Sequence, residues 1–272
     1  MIAGRGASRL RRYFVNSVTT EAWRRVTGQS RDKAIHEVIR REPQMVQAIL
    51  NDTEITRNHM TPEIKLFLLT PNCPLYHAPF PDVFESNEMR RTVFTDPFWS
   101  IYWPGGQAIA RFVLDERDRL FSYSWNGEGE VLDVGAGCGA AAIAAKLVGT
   151  RKVIANDIDK VACTAIAMNA ALNHVEVQIS QDNLLHRPPE KLTDVIFIGD
   201  MLYDEEITDI LIPWLERARK NGTRIYLADP GRHGLTNDLK KRLRPLRRYL
   251  MPENVRKENY GYDTCDIWEF SG

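Results

Sequence analysis

Apolar positions along the chain recur with two periods, one typical of buried strands and one typical of amphipathic helices. Short apolar runs predict strands at 131–134, 152–156, 175–180, 194–199, 224–228, 247–251 and 263–270. Helical spacing predicts helices at 108–114, 139–148, 160–172, 205–220 and 235–244. This alternation predicts an α/β fold, a doubly wound and mostly parallel seven-stranded sheet with helices on both faces, preceded by an N-terminal helical extension.

The chain before this alternating region has a different pattern. From about residue 31, apolar residues at helical spacing predict a helix that breaks or kinks at Pro43. A second helix is predicted from Thr61, because threonine is a suitable N-cap and the proline that follows it suits the first helical position. Residues 71–97 contain five prolines and are expected to form an extended loop. We expect these helices to pack against the α/β domain.

Charge is unevenly distributed, although the whole chain holds 36 basic and 36 acidic residues. Residues 1–30 contain six arginines and a single acid, which is typical of a mitochondrial transit peptide. We therefore expect a transit peptide at 1–30, N-terminal helices and a proline-rich loop at 31–100, and the α/β domain at 101–272. We expect the protein to reside in the mitochondrial matrix. The alternative is a disordered basic tail on a cytosolic protein, or an RNA-binding arm, although no interleaved aromatic platform follows the segment.

Several classes of protein are disfavoured by composition. The longest uncharged stretch, 66–81, contains four prolines and is shorter than the ~18 apolar residues that a spanning helix needs, so no membrane insertion is expected. The four cysteines form no C-x-x-C pair and the histidines form no H-E-x-x-H motif, so no metal site or disulfide framework is expected. Nothing in the pattern suggests a symmetric interface, and we expect a monomer.

The candidate chemistry begins at VLDVGAGCG, residues 131–139, where an apolar strand runs into a glycine turn and then a helix. Such a turn brings backbone close to a ligand. A second apolar strand ends in Asp157 about twenty residues later, a spacing that also fits the dinucleotide site of a dehydrogenase. Asp133 favours a cationic, amino-acid-bearing ligand, because a dinucleotide fold normally has an apolar residue at that position.

This order, h-h-Asp-h-Gly-x-Gly-x-Gly and then h-x-Asp, resembles the seven-strand S-adenosylmethionine methyltransferases, which have a Rossmann-like class I fold. Asp-Met-Leu-Tyr, from Asp200 to Tyr203, resembles the Asp-x-x-Tyr/Phe signature of their protein-lysine branch and lacks the double proline of the nucleic-acid branch. Longer segments resemble the mitochondrial enzymes that methylate lysines of the electron transfer flavoprotein β subunit. These segments are TPEIKLFLLTPNC, DPFWSIYWPGGQAIARFVLD, VLDVGAGCGAAAIAAK, VIANDID, GDMLYDE and ADPGR.

The resemblance implies that S-adenosyl-L-methionine is the cofactor and that it binds at the carboxyl ends of the strands. Asp133 would hold its ammonium group, Asp157 its ribose hydroxyls, and Ile158 would cover its adenine. The full implied cofactor-binding set is Trp103, Asp133, Gly135, Gly137, Gly139, Asp157, Ile158, Asp182, Asn183 and Gly199. Asp200 and Tyr203 are the implied catalytic residues. We interpret Asp200 as an orienting acceptor, because a carboxylate favours the charged form of a lysine.

The implied function is methyl transfer from S-adenosyl-L-methionine to lysine side chains of the electron transfer flavoprotein β subunit, which is the expected partner. Three alternatives remain. The protein could methylate another mitochondrial or ribosomal protein, or it could be a catalytically silent assembly factor. It could also be a nicotinamide dehydrogenase, which is disfavoured by Asp133 and by the lack of a recognisable hydride-transfer arrangement.

Overall fold

The structure is a computed structural model of the chain. It describes residues 3–29, 33–77, 93–95, 97–121, 129–190 and 193–272. Much of the predicted proline-rich loop therefore lies outside the described residues. The described helices are α1 (Ala3–Thr27), α2 (Lys33–Arg41), α3 (Pro43–Asp52), α4 (Pro104–Asp115), α5 (Arg117–Leu120), α6 (Ala140–Leu147), α7 (Lys160–Leu172), α8 (Glu205–Lys220), α9 (Asn237–Lys240) and α10 (Glu253–Glu258). The strands are β1 (Glu54–Thr56), β2 (Leu66–Leu68), β3 (Glu130–Val134), β4 (Lys152–Asn156), β5 (Gln178–Ser180), β6 (Thr193–Gly199), β7 (Arg224–Asp229), β8 (Leu243–Leu250) and β9 (Thr264–Phe270).

Seven strands form one sheet in the order β5-β4-β3-β6-β7-β9-β8. The five strands from β5 to β7 in that order are parallel to one another, and β9 pairs antiparallel with both β7 and β8. The chain moves outward from β3 to β5, then returns to place β6 on the other side of β3. Strand order therefore reverses between β3 and β6, the position where open α/β sheets bind ligands. This topology confirms the predicted fold class.

Both faces of the sheet are covered by helices. Val131 and Val195 pack on one face with α4 and α6, whereas Leu132 and Ile196 pack on the other face with α8. The two sets alternate along β3 and β6 because successive side chains of a strand point to opposite faces. Within the described residues, no helix has the length and apolar character needed to cross a bilayer.

The N-terminal helices form a third layer against α7. Trp23 of α1, Ile39 of α2 and Ile49 of α3 share a buried cluster with Val161 and Met168 of α7. This matches the expectation that these helices pack on the α/β domain. Trp23 is only 2% exposed although it lies inside the segment predicted as a transit peptide.

The prediction of a helix that begins at Thr61 is wrong. Residues Leu66–Leu68 form β2, which pairs antiparallel with β1. All three side chains of β2 are buried, so this contiguous apolar run suits a strand covered on both sides rather than a helix with one polar face. The Thr61 hydroxyl lies 3.1 Å from the Tyr102 hydroxyl and makes a tertiary contact.

The predicted break at Pro43 is confirmed, since this residue starts a new helix, α3, where its missing N–H costs nothing. Other predicted boundaries shift for local reasons. Pro104 starts α4 in the same way, four residues before the predicted start at Ala108. The predicted helix 235–244 shortens to α9, because Leu243 already begins to pair with β9.

Candidate cofactor and catalytic site

The glycine turn after β3 has three residues with left-handed φ angles, +66° at Gly135, +53° at Gly137 and +79° at Gly139. A Cβ at Gly135 would approach the sulfur of the flexible Met201 side chain to 2.5 Å, and the left-handed φ at this position itself favours glycine. A Cβ at Gly137 would have no neighbour within 4 Å, so this position faces open space. Gly139 is the N-cap of α6. The turn therefore presents bare backbone at the carboxyl end of β3.

A crevice lies at this turn, where strand order reverses. Five of the predicted residues line it: Trp103, Asp133, Gly135, Gly137 and Gly199. Gly199 ends β6 and packs on the start of α4, since a Cβ there would lie 3.0 Å from backbone atoms of Gly106. Trp103 and Gly199 are 96 positions apart in the sequence, and the fold brings them together at this crevice.

Asp133 is a buried carboxylate in the wall of the crevice. It is 4% exposed, and its Oδ2 accepts a hydrogen bond from the backbone N–H of Ala142 at 3.1 Å. Burial raises the pKa of Asp133 to about 7, the N–H of Ala142 lowers it, and the charge of Asp157 raises it. Among the ion pairs of the described residues, none gives Asp133 a basic partner. A cationic group entering the crevice would therefore stabilise its ionised form.

Asp157 lies at the end of β4 and holds the glycine turn. Its Oδ2 accepts the N–H of Gly137 at 2.9 Å, and its Oδ1 accepts the N–H of Asp159 at 3.0 Å. Ile158 between them is 65% exposed. Asp159 accepts the N–H of Val161 at 2.8 Å and caps α7, as the sequence predicts.

The polar turn after β5 lies at the neighbouring strand end. Asp182 and Asn183 are both exposed, and Asp182 pairs with Arg187 at 3.4 Å. Asn156, which is buried and was missed in the sequence, donates from Nδ2 to the backbone oxygen of Asp182 at 2.9 Å and of Ser180 at 3.0 Å. An amide at the end of the apolar strand VIAN was the signal that could have identified it. The other five predicted cofactor-binding residues do not line the crevice, and their roles stay predictions: Gly139, Asp157, Ile158, Asp182 and Asn183.

Asp200, directly after β6, is 6% exposed and has a left-handed φ of +60°. Its backbone N–H donates to the oxygen of Ala228 at 3.1 Å. One carboxylate oxygen accepts the N–H of Gly105 and the other accepts Nε of Arg232. Burial raises the pKa of Asp200 and the charge of Arg232 lowers it. Both oxygens are thus already engaged, which the sequence did not indicate.

Tyr203 lies three residues further along and is 51% exposed. Partial burial raises the pKa of its hydroxyl, the charges of Asp204 and Asp157 raise it further, and Arg232 lowers it. The side chain is therefore influenced by charged groups from the ends of both β4 and β7. Its catalytic role stays a prediction.

Residues 114–228 match the family model of the ribosomal protein L11 methyltransferase, PrmA, a span that includes the glycine turn and Asp200. The electron transfer flavoprotein beta subunit lysine methyltransferase of Xenopus laevis is 40% identical to this chain over 225 residues, which cover 82% of this chain and 85% of that protein. The chain belongs to the electron transfer flavoprotein beta subunit lysine methyltransferase family.

Other members of this family are similar over the same extent. The protein of Mus musculus with that name is 39% identical over 233 residues, covering 84% of this chain and 85% of its own length. The homolog of Caenorhabditis elegans is 32% identical over 243 residues, covering 81% and 93%.

In this member of the lysine methyltransferase family, two further residues of the site lie at the end of β7 and were missed in the sequence. They are Asp229 and Arg232. The carboxylate of Asp229 accepts the N–H groups of Gly231 and Arg232, each at 2.7 Å. Burial raises the pKa of Asp229 to about 6, and the charge of Asp200 also raises it. The signal in the sequence is the strand end ADPGR, which is also one of the segments that resemble the family. Within the described residues, no group of three or more His, Cys, Asp or Glu side chains could hold a metal ion.

Proposed function

We propose that this protein transfers methyl groups from S-adenosyl-L-methionine to lysine side chains of the electron transfer flavoprotein β subunit in the mitochondrial matrix. One observation carries the proposal. A buried carboxylate, Asp133, which has no cationic partner among the described residues, lies in the same crevice as the glycine turn and Trp103. Membership of the lysine methyltransferase family supports the same reading.

The residues present suit an S-adenosyl-L-methionine molecule. Asp133 would hold the ammonium group, and the open backbone at Gly137 would admit the amino-acid part. Asp157 would hold the ribose hydroxyls, because a carboxylate oxygen that accepts one backbone N–H retains a second lone pair. The exposed side chain of Ile158 would cover the adenine. Asp182 or Asn183 would accept the adenine amine. When bound, this cofactor supplies an electrophilic methyl group to the amine.

The surroundings of the incoming lysine set its charge state. A lysine has an ordinary pKa of about 10.4 and must lose its proton before it can attack. Desolvation lowers the pKa of an amine, whereas a nearby carboxylate raises it. Because Arg232 already pairs with Asp200, that carboxylate favours the charged lysine less than an unpaired one would. Trp103 and Tyr203 would supply apolar surface around the amine.

Intact-mass spectrometry of purified electron transfer flavoprotein, incubated with this protein and S-adenosyl-L-methionine, tests the proposal. We expect the β subunit to gain methyl units, and we expect an Asp200→Ala variant to add far fewer. A wild-type protein that binds the cofactor but leaves the β subunit unchanged would refute the proposed substrate.

A ribosomal protein is a second candidate substrate, since residues 114–228 match the model of a ribosomal protein methyltransferase. That span contains the residues that would hold the cofactor and ends in β7. The match therefore supports methyl transfer from S-adenosyl-L-methionine more strongly than it supports a ribosomal protein as the substrate. Incubation of ribosomal subunits under the same conditions separates the two candidate substrates, because only the true substrate should gain the mass of methyl groups.

A further inference from the structure

Arg232 connects three segments that are far apart in sequence. Its position is set by the turn after β7, where Asp229 accepts both the N–H of Gly231 and that of Arg232. Gly231 has a φ of +104°, a conformation that side chains rarely adopt. The guanidinium therefore extends from a fixed backbone.

The guanidinium makes contacts of two kinds. Its Nε pairs with the carboxylate of Asp200, and the two side chains are 13% and 5% exposed. Its central carbon lies 5.3 Å from the ring centroid of Trp103 and 5.5 Å from that of Tyr262. Such contacts use the planar, delocalised charge of arginine, which lysine does not have.

Asp200 in turn fixes the start of α4. Its carboxylate accepts the N–H of Gly105, which has no acceptor within its own helix because it lies in the first turn. A Cβ at Gly105 would lie 2.5 Å from the backbone oxygen of Ala228, so the helix start fits tightly against the strand ends. Trp103, which lines the crevice, is the residue just before this helix.

We propose that Arg232 is a positioning residue, which holds the Asp200 carboxylate and the Trp103 ring in the arrangement that methyl transfer requires. The expected effect of Arg232 on kcat rests on the proposed function, whereas the expected effect of Arg232 on the start of α4 does not. Without Arg232, the buried charge of Asp200 loses its compensating partner. The acceptor for Gly105 and the wall of the crevice then become less ordered together.

The test uses Arg232→Met, which removes the charge, and Arg232→Lys, which keeps it without the planar group. Arg242→Met is the matched control. Arg242 also pairs with a carboxylate, that of Glu216 at 2.6 Å, and lies 5.1 Å from the ring centroid of Phe270. Phe270 pairs with the first residue of β8, away from the crevice.

Two measurements are made on each protein. Amide hydrogen exchange of the cofactor-free protein reports on Gly105, and steady-state kinetics report kcat and KM for methyl transfer. For Arg232→Met we expect the Gly105 amide to exchange about tenfold faster and kcat to fall about tenfold, equivalent to about 1.4 kcal/mol. Arg232→Lys should recover part of both losses, and Arg242→Met should leave both quantities at wild-type values.

An Arg232→Met protein with wild-type exchange at Gly105 and wild-type kcat overturns the inference, as does an equal effect of Arg242→Met. If Arg232→Met does not fold, the comparison of Arg232→Lys with Arg242→Met decides in the same way. If the wild-type protein transfers no methyl group at all, the proposed function fails, and the exchange of Gly105 still decides the role of Arg232.

Discussion

At the scale of single residues, the site depends on carboxylates whose surroundings differ. Asp133 is buried without a basic partner among the described ion pairs, Asp157 accepts two backbone N–H groups, and Asp200 is paired with Arg232. The three positions were predicted from motif spacing and strand ends. Their partners were not, because Gly105 and Arg232 reach Asp200 only through the tertiary fold.

The pKa of Asp133 predicts a pH dependence of cofactor affinity. Because its pKa is raised to about 7, the carboxyl group is protonated and neutral below that pH and ionised above it. The ionised form attracts an ammonium group, so affinity for S-adenosyl-L-methionine should strengthen as pH rises through about 7. Calorimetric titration at several pH values should show this trend for the wild type and a flat, weaker profile for Asp133→Asn. An equal trend in both proteins would assign the dependence to another group.

Asp157 and Asp200 should separate binding from turnover. Asp157→Ala removes the acceptor that holds Gly137, so we expect cofactor affinity to fall about tenfold or more, since hydrogen bonds to charged groups contribute about 1.5–3 kcal/mol. Asp200→Ala should keep cofactor affinity and lose turnover. Calorimetry and single-turnover assays measure the two quantities. Equal losses of affinity in both variants would contradict this division.

At the scale of elements, sequence was most informative where a helix carried its own end signals. The bounds of α7 and α8 agree with prediction, because Asp159 caps one and Asn221-Gly222 follows the other. The segment after Thr61 carries similar signals yet forms β2, since its three apolar residues are all buried by neighbouring layers. Tertiary burial, which local patterns do not encode, decided between helix and strand there.

The start of α4 provides a matched pair of glycines. A Cβ at Gly105 would lie 2.5 Å from backbone atoms of Ala228 and Asp200, whereas one at Gly106 would meet only the Tyr102 ring at 3.5 Å. We expect Gly105→Ala to lower the free energy of unfolding by about 1–3 kcal/mol through overpacking. Gly106→Ala should be neutral or stabilising, by up to about 1 kcal/mol, because alanine favours a helix. Urea unfolding measures both, and equal stability of the two variants would show that α4 can move away from the strands.

At the scale of the whole molecule, the first helices form part of the core. Trp23 is 2% exposed and packs with Phe67, their ring centroids 5.8 Å apart, and the Gln29 side chain donates to the oxygen of Leu172 at 3.2 Å. The general α/β plan followed from the alternation of strands and helices. The packing of the helices after residue 30 on this domain was also predicted. The buried position of Trp23 was not, since the arginine-rich and acid-poor composition of residues 1–30 indicated a transit peptide, which stays a prediction.

The packing of Trp23 predicts the effect of shortening the chain. Removal of residues 1–30 should destabilise the protein by about 3–5 kcal/mol, the cost of losing a buried tryptophan. Trp23→Ala should reproduce most of that loss. Circular dichroism during heating compares the three proteins. A stable protein that lacks residues 1–30 would show that this layer is dispensable.

The most direct test of the account is to locate the transferred methyl groups. Electron transfer flavoprotein is incubated with S-adenosyl-L-methionine and either the wild type or Asp200→Ala, and the β subunit is then digested and its peptides fragmented in a mass spectrometer. We predict mass gains on lysine side chains of the β subunit with the wild type and strongly reduced gains with the variant. Methyl groups on another residue type, or no gain with a wild-type protein that binds the cofactor, would contradict the proposed function.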